Sequence, residues 1–161
     1  MTRSSKLRHR NLPLLLMQAR ERVICHFRPI LNAHGITEQQ WRVVRVLLDV
    51  PALEPRQIGD LCAISSPSMA GVLERMEQAG YVSRRRVRHD QRRVYVSATE
   101  KSRELAARMA PQIEATYRRL ERTLGPEFSG RLYDTIDHLL QNLPAPAESG
   151  AESDTARRHL R

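Results

Sequence analysis

The stretch ISSPSMAGVLERMEQAGYVSRRRVRHDQRRVYV, residues 64–96, decides the fold. Its first half predicts a helix over residues 65–79. Ser65 can accept a hydrogen bond from a free N–H of the first turn, and Pro67 loses little there by lacking an N–H. Gly80 is expected to end this helix. One face of the helix is polar. The opposite face is an apolar stripe with spacings of three and four residues: Met69, Val72, Leu73 and Met76.

The second half of the stretch predicts a β-hairpin over residues 82–97, with a turn at 89–91. Six arginines lie between Arg84 and Arg93. A short helix is predicted in front of the polar-faced helix, over residues 55–62, and two tightly joined helices can place side chains in a DNA major groove. Together with the arginine-rich hairpin, this pattern is typical of a winged helix-turn-helix.

Charge and composition favour the same class of partner. Among 161 residues, 27 are basic and 18 are acidic, so the net charge is +9 and a polyanion is the expected partner. Together with the helix and hairpin pattern, this charge favours double-stranded DNA. An arginine-favouring genome could explain the excess of arginine over lysine, but it does not explain the cluster in the hairpin. The sequence has no apolar run of about 18 residues and no signal peptide, so we expect a cytoplasmic protein that does not contact a membrane.

The sequence carries no motif of an enzyme. It has no nucleophile elbow, phosphate-binding loop or nucleotide fingerprint. Its six histidines are scattered, and its two cysteines, Cys25 and Cys62, have no metal-ligand spacing. We therefore predict no catalytic residue, no metal and no cofactor. Two alternative DNA-binding functions stay open, namely redox-sensing regulation through Cys25 and architectural binding to any DNA sequence.

Helices flank the DNA-binding lobe on both sides in the chain. We predict a mainly α protein with a small β-wing, in which the region around the lobe is helical. Proline at position 29 is expected to bend the first helix or end its regular part. The predicted units are a flexible basic arm (1–10), a dimerisation helix (11–36), the winged lobe (37–98), two dimerisation helices (99–143) and a disordered tail (144–161).

The end helices carry more apolar positions than one small lobe needs. The simplest use of these stripes is a homodimer whose interface is built from both chain ends. Such a dimer would set two recognition helices about one turn of DNA apart, ~34–36 Å, and so prefer a palindromic operator. A monomer that packs its end helices on its own core is the alternative. Pro111 should kink the longer helix, and the last helix is expected to bury Phe128, Leu132, Ile136, Leu139, Leu140 and Leu143.

The chain resembles the MarR family of bacterial regulators over roughly residues 11–143. The family signature is carried by ISSPSM (64–69), LERMEQAGYV (73–82) and DQRR (90–93). Other stretches resemble the regulators of homoprotocatechuate (3,4-dihydroxyphenylacetate) degradation, and the chain is also similar to hydroxynicotinate-responsive repressors of Bordetella-like bacteria. These stretches are LLLMQARE (14–21), FRPI (27–30) and TEQQWRVVR (37–45).

The resemblance implies a homodimer that represses a catabolic operon and leaves DNA when a small aromatic acid binds. The implied effector is of the 3,4-dihydroxyphenylacetate, 4-hydroxyphenylacetate or 6-hydroxynicotinate type, and its pocket lies between the dimer helices and the DNA-binding lobe. Two departures from the family stand after the hairpin: Ser97-Ala98-Thr99 where Leu-Thr is usual, and Ser102 where glycine is frequent. We expect them to loosen the junction between the wing and the next helix.

The predicted DNA contacts divide between two grooves. Arg92, at the wing tip, is placed to enter the minor groove, and Asp90 to hold an arginine by a charge-assisted bond. Arg75 can take a phosphate or a guanine edge in the major groove. Because side chains alternate along a strand, some hairpin arginines are expected to face the protein body. The predicted set is Ser65, Ser66, Ser68, Arg75, Arg84, Arg86, Arg88, Asp90, Arg92 and Arg93.

The predicted effector contacts lie on the first two long helices, which would wall the pocket that the family implies. A carboxylate is well matched by an arginine, and an aromatic ring by apolar walls. The candidates are Arg20, Trp41, Arg42 and Arg45, with Gln18 and His9 as weaker ones.

Overall fold

A computed structural model describes residues 8–87 and 90–143, and for residues 87 and 90–92 it describes the backbone alone. The basic arm before residue 8, Arg88 and the tail 144–161 lie outside the described residues. The predicted class, mainly α with a small β-wing, is confirmed. The described elements are α1 (Leu12–Ile24), α2 (Arg28–Ala33), α3 (Glu38–Asp49), α4 (Pro55–Cys62), α5 (Ser66–Gln78), β1 (Val82–Val87), β2 (Asp90–Ala98), α6 (Glu100–Leu124) and α7 (Pro126–Asn142).

Pro29 divides the first predicted helix in two. α1 ends at Ile24, a turn follows, and α2 begins at Arg28 with the proline in its first turn. A proline inside a helix offers no N–H to the carbonyl four residues earlier, here that of Cys25, and its ring clashes with that carbonyl. The helix therefore breaks just before the proline.

The three helices of the lobe lie within one or two residues of their predicted bounds. At the start of α3, the Thr37 hydroxyl accepts from the Gln40 N–H (3.2 Å), and the Gln40 side chain accepts from the Thr37 N–H (3.0 Å), which is a capping box. α4 covers residues 55–62 as predicted. Gly80, after α5, has a φ of +76°, a left-handed conformation that glycine adopts without strain.

The two strands form an antiparallel hairpin. Val82 pairs with Ala98 at its base and Val87 pairs with Asp90 at its far end. Asp90 and Gln91 therefore belong to β2, and the prediction of a turn at 89–91 is wrong for both. The register shifts between Arg86 and Val87, and this irregularity lets β2 begin earlier than the alternation of side chains indicates.

One hydrophobic core lies between α2, the lobe helices, the base of the wing and the first half of α6. Its most buried members include Val43, Leu73, Met76, Val96 and Met109. The stripes predicted for α5 and for the first half of α6 supply much of this core, and α6 continues as one helix on both sides of Pro111.

The chain ends leave most of their apolar stripes uncovered in a single chain. No residue of α1 is buried, and Met17 is 61% exposed. α7 folds back on the end of α6, and no other described helix covers its outer face. The prediction that α7 buries six apolar residues is therefore wrong for the single chain. Leu139 is partly buried, whereas the exposed members are Phe128, Leu132, Ile136, Leu140 and Leu143.

Among the residues that the structure describes, no helix combines the length and apolar character needed to cross a bilayer. In the same residues, no three His, Cys, Asp or Glu side chains are grouped so that they could hold a metal ion.

Candidate DNA-binding surface and effector site

The start of α5 presents small polar side chains to solvent. Ser65, Ser66 and Ser68 are all exposed. The predicted cap by the Ser65 side chain does not form, because its hydroxyl donates to Ser68 Oγ at 3.1 Å. Only the Ser65 carbonyl joins the helix, accepting from the Met69 N–H at 2.8 Å. The Ser65 side chain thus leaves the first-turn N–H groups open, and such groups suit phosphate oxygens.

Arg75 lies further along α5 and folds back toward the start of the helix. Its Nη1 would be only 3.3 Å from a Cβ built on Gly71, so the guanidinium occupies space that the glycine leaves free. Helical side chains tilt toward the N-terminus, which favours this arrangement. In the described part of the chain, neither Arg75 nor Arg86 makes an ion pair or a side-chain hydrogen bond. Their donors are therefore available for DNA.

Two other predicted arginines of the wing are paired with carboxylates of the lobe. Arg84 Nε lies 3.2 Å from Glu77 Oε2 at the end of α5. Arg93 Nε donates to Glu54 Oε1 at 2.6 Å, immediately before α4. These are hairpin arginines that face the body of the protein, as expected for some members of the set. The DNA contacts assigned to Arg88, and to the side chains of Asp90 and Arg92, lie outside the described residues and stay predictions.

The junction between the wing and α6 is held by side-chain hydrogen bonds. Carbonyls at the end of a helix lack partners within that helix. Here, side chains at the start of α6 donate hydrogen bonds to the carbonyls at the end of α5 and just after it. Ser102 is fully buried. Thr99 and Ser102 hold this junction, so the expectation that they loosen it is wrong. The donors are Thr99 Oγ1 to the Gly80 carbonyl (2.7 Å), Lys101 Nζ to that of Ala79 (2.7 Å), and Ser102 Oγ to that of Tyr81.

Replacing Ser102 with alanine is expected to lower the free energy of unfolding by about 1 kcal/mol, since one buried hydrogen bond is lost. Alanine is the better helix former, so the intrinsic helix propensity acts in the opposite direction. Ser68→Ala, at an exposed position of α5, is the matched control and should leave stability unchanged or slightly raised. Urea unfolding measures both. An S102A variant as stable as the parent protein would mean that this hydrogen bond does not hold the junction.

The six predicted effector residues are spread along the chain. Arg42 faces away from the others, because its Nη1 donates to the Cys62 carbonyl and, at 3.5 Å, to the Ala63 carbonyl. Arg42 thereby fixes the turn between α4 and α5, a role that the sequence did not predict. The other predicted effector residues are His9 before α1, Gln18 and Arg20 exposed on α1, half-buried Trp41 on α3, and Arg45 exposed one turn later.

Arg20 belongs to an ion network that sequence reasoning missed. Arg28 Nε donates to Glu38 Oε1 at 2.5 Å, its two Nη atoms hold the Glu21 carboxylate, and Arg20 Nη2 donates to Glu38 Oε2 at 2.8 Å. The hydrogen bond from Arg28 lowers the pKa of Glu21. Burial alone would raise the pKa of Glu38, but hydrogen bonds from Arg28 and Arg20 outweigh it and hold the pKa below its ordinary value. The network ties α1, α2 and α3 together.

Two aromatic rings meet between the start of α2 and α6. The rings of Phe27 and Tyr117 are tilted, with centroids 4.8 Å apart. Burial raises the pKa of Tyr117, nearby Tyr133 adds to this effect, and the positive charge of Arg45 opposes it. A guanidinium near aromatic rings suits an aromatic carboxylate. The signal that could have singled out Tyr117 in the sequence is a phenol at helical spacing among Leu105, Met109, Ile113 and Leu120.

A groove of about 500 Å³ opens between α2 and the start of α3. Leu31 and Ile36 are apolar members of its lining, and Arg28 and Glu38 are charged members. These two charges already pair with each other, so the groove is a poor site for a carboxylate. None of the six predicted effector residues lines it.

The two cysteines differ in their surroundings. Cys62 is buried, and burial raises its pKa to about 11 against the opposing charge of Arg42, so its thiolate is disfavoured at neutral pH. Cys25 is exposed in the turn between α1 and α2, where its Sγ donates to the Arg22 carbonyl at 3.1 Å. The redox alternative therefore depends on Cys25.

Known proteins are similar to this chain in sequence and in fold. A MarR family model matches residues 34–93, from the end of α2 into the wing. The homoprotocatechuate degradative operon repressor of Escherichia coli is 38% identical over 144 residues, which cover 89% of this chain and 95% of that protein. Both this repressor and the solved relatives below are similar to the chain over most of its length.

Two solved structures superpose on the fold. The transcriptional regulator PA4135 is 41% identical, with a TM-score of 0.82 and coverage of 84% of this chain and 100% of that one. NadR in complex with 4-hydroxyphenylacetate is 35% identical, with a TM-score of 0.73 and coverage of 84% and 96%. With its helix-turn-helix, its wing and this degree of identity along most of its length, the chain belongs to the MarR family of transcriptional regulators.

Proposed function

We propose that the protein is a ligand-responsive repressor of an operon for the catabolism of an aromatic acid. It binds a palindromic operator as a homodimer and is released by a hydroxylated aromatic acid. The observation that carries the proposal is the 38% identity, over 89% of this chain, to the homoprotocatechuate degradative operon repressor of Escherichia coli. Arg45 of α3 is the proposed carboxylate-binding group. Tyr117 of α6, whose pKa is raised by burial against the opposing charge of Arg45, is the proposed aromatic wall. The name of the Escherichia coli relative and the ligand of NadR support the same class of effector.

The uncovered chain ends support the homodimer. α1 has 13 residues, and an isolated helix of that length is marginal in water unless it packs against another surface. Leu12, Leu14 and Leu16 of α1 are exposed in the single chain, as are Leu132 and Leu140 of α7. Exposed apolar surface of this kind marks sites of association. In a symmetric dimer, α1 and α7 of one chain would cover the apolar stripes of α1 and α7 of the other. This arrangement would set the two α5 helices about one turn of DNA apart, ~34–36 Å.

The chemistry of α5 supports a particular mode of DNA binding. Ser66 and Ser68 are short, and Arg75 is the long cation on the same exposed surface. A helix with so few large base readers takes much of its affinity from phosphates and much of its specificity from DNA shape. Arg86 of β1 extends the positive surface onto the wing, and Arg92 is proposed to enter the minor groove.

The proposed switch follows from what the effector would touch. An acid bound at Arg45 and Trp41 lies against α3 of the lobe and, through Tyr117, against α6. The start of α6 in turn holds the end of α5 through its three side-chain donors. A change in spacing between α3 and α6 therefore reaches the recognition helix. A differential affinity of a few kcal/mol between the two states is enough to shift the population.

A gel-shift titration on the protein's own promoter region, at fixed salt, tests the proposal. The panel is 3,4-dihydroxyphenylacetate, 4-hydroxyphenylacetate and 6-hydroxynicotinate. We expect a specific complex that one of these acids releases. Tight specific binding that no acid changes would overturn the effector and direct attention to oxidation at Cys25. Equal binding to random DNA would replace the repressor with the architectural protein.

Replacing Arg45 with alanine is expected to leave operator affinity unchanged and to raise the acid concentration for half-release by about 10- to 100-fold. The physical reason is the loss of a charge-assisted hydrogen bond, worth about 1.5–3 kcal/mol. Arg108→Ala, which removes an exposed cation of α6 outside the proposed effector site, is the matched control. Release at the parent's acid concentration would remove Arg45 from the effector site.

A further inference from the structure

The base of the wing is joined to the segment in front of α4. Leu53 and Val96 exchange two backbone hydrogen bonds, Leu53 N to Val96 O at 3.1 Å and Val96 N to Leu53 O at 2.8 Å. This segment thus acts as a very short third strand beside β2. A hairpin of two strands is marginal by itself, so its orientation depends on such neighbours.

Arg93 adds side-chain contacts at the same place. Its Nε donates to Glu54 Oε1 at 2.6 Å, its Nη2 donates to the Tyr95 hydroxyl at 3.1 Å, and its guanidinium carbon lies 5.7 Å from the centre of the Tyr95 ring. The backbone of Glu54 is held in turn, because its N–H donates to Gln57 Oε1 at 2.9 Å in the first turn of α4. The wing is therefore joined to the start of α4 by the ion pair between Arg93 and Glu54.

We propose that Arg93 is a positioning residue, which with Glu54 sets the orientation of the wing relative to α4, rather than a phosphate contact. The carboxylate neutralises the arginine and takes its Nε donor. α4 packs against α5, so a wing fixed to α4 is also fixed relative to the recognition helix. DNA binding that engages a groove with each element gains affinity when their spacing is preorganised. The inference rests on the DNA-binding role proposed above.

The two roles of Arg93 predict opposite effects of a change at Glu54. Glu54→Gln removes a negative charge from the DNA-binding lobe, so simple electrostatics would tighten DNA binding. If the pair positions the wing, E54Q instead weakens binding about three- to tenfold, and R93Q weakens it by a similar factor. The double variant E54Q/R93Q is then no weaker than R93Q alone, because the effect of Glu54 on the wing passes through Arg93.

The experiment is this double-mutant cycle, measured as operator affinity over a range of salt concentrations. We expect the slope of log K against log salt to stay unchanged in R93Q. Tighter binding by E54Q, additive losses, or a slope reduced by about 0.9 in R93Q would identify a phosphate contact and overturn the proposal. Glu127→Gln, which removes the partner of Arg131 on α7, is the control for loss of an exposed carboxylate and should leave affinity unchanged.

Amide hydrogen exchange of the free protein separates this inference from the proposed function. We expect faster exchange at Leu53 and Val96 in both E54Q and R93Q, with the core of α6 unchanged, because the link between wing and α4 is weakened locally. Unchanged exchange at both amides would overturn the inference even if DNA binding is confirmed. Absence of specific DNA binding by the parent protein would instead overturn the proposed function and, with it, the role of the pair in DNA binding.

Discussion

Replacing Ile136 and Leu140 together with glutamate is expected to convert the protein to a monomer and to abolish specific operator binding. The two side chains are one turn apart on α7, and both are exposed in the single chain, Leu140 at 62%. Buried in a dimer, each contributes about 1.5–3 kcal/mol of apolar burial, and a buried unpaired carboxylate is far less favourable than the residue it replaces. Without a dimer, one recognition helix must bind alone.

Sedimentation equilibrium and the gel shift measure the two consequences. The matched control is His138→Glu with Gln141→Glu, which adds the same two carboxylates to the opposite side of α7. This control should remain dimeric and bind the operator. A dimeric I136E/L140E variant would place the interface elsewhere, and a parent protein that is monomeric while it binds its operator would contradict the proposed assembly directly.

The burial of α7 is where the sequence-based prediction and the single chain differ. Periodicity identified one apolar stripe and predicted that it is buried, with a homodimer interface as its simplest use, but it did not divide that burial between the single chain and a partner. In that chain only Leu139 is partly covered, because α7 lies at the edge of the fold. A hydrophobic pattern reports that a face needs a partner and does not report which chain supplies it.

Local signals performed better where one residue type fixes the backbone. The helix predicted over residues 55–62, which begins at a proline, agrees with α4 to the residue, and Gly80 marked the end of α5. The hairpin turn was misplaced because its register depends on an irregularity after Arg86, which has no sequence signature. Long-range pairs were missed for a similar reason. Arg28 and Glu21 meet across a helix break, and the angle of that break is set by packing.

In the candidate site, too, the types of residue were predicted from the sequence, but their partners were not. Sequence reasoning expected some hairpin arginines to face the protein, and the structure identifies Arg84 and Arg93 by their carboxylate partners. It also grouped Arg42 with the effector residues because Arg42 lies on one of the helices that would wall the pocket. The backbone carbonyls that Arg42 caps come from another helix, and only the folded chain brings them within reach.

Reversing the charge of Arg75 with glutamate is expected to reduce operator affinity by about 100-fold or more at moderate salt. The substitution removes a cation from the exposed surface of α5 and places an anion within a Debye length of the phosphates, so attraction becomes repulsion. Arg75→Ala should have a smaller effect, and should reduce the slope of log K against log salt by about 0.9 if one phosphate contact is lost. Fluorescence anisotropy with labelled operator measures both.

Gly71→Ala provides a control that keeps the charge of Arg75 and changes the position of its guanidinium. The new Cβ would come within 3.3 Å of Arg75 Nη1, so the guanidinium must shift by a few tenths of an ångström. Alanine is about 1 kcal/mol more favourable than glycine within a helix, so the variant should be more stable while it binds DNA slightly less well. Stability and affinity that rise together in G71A, with R75E still bound at the parent's affinity, would mean that Arg75 does not face the DNA.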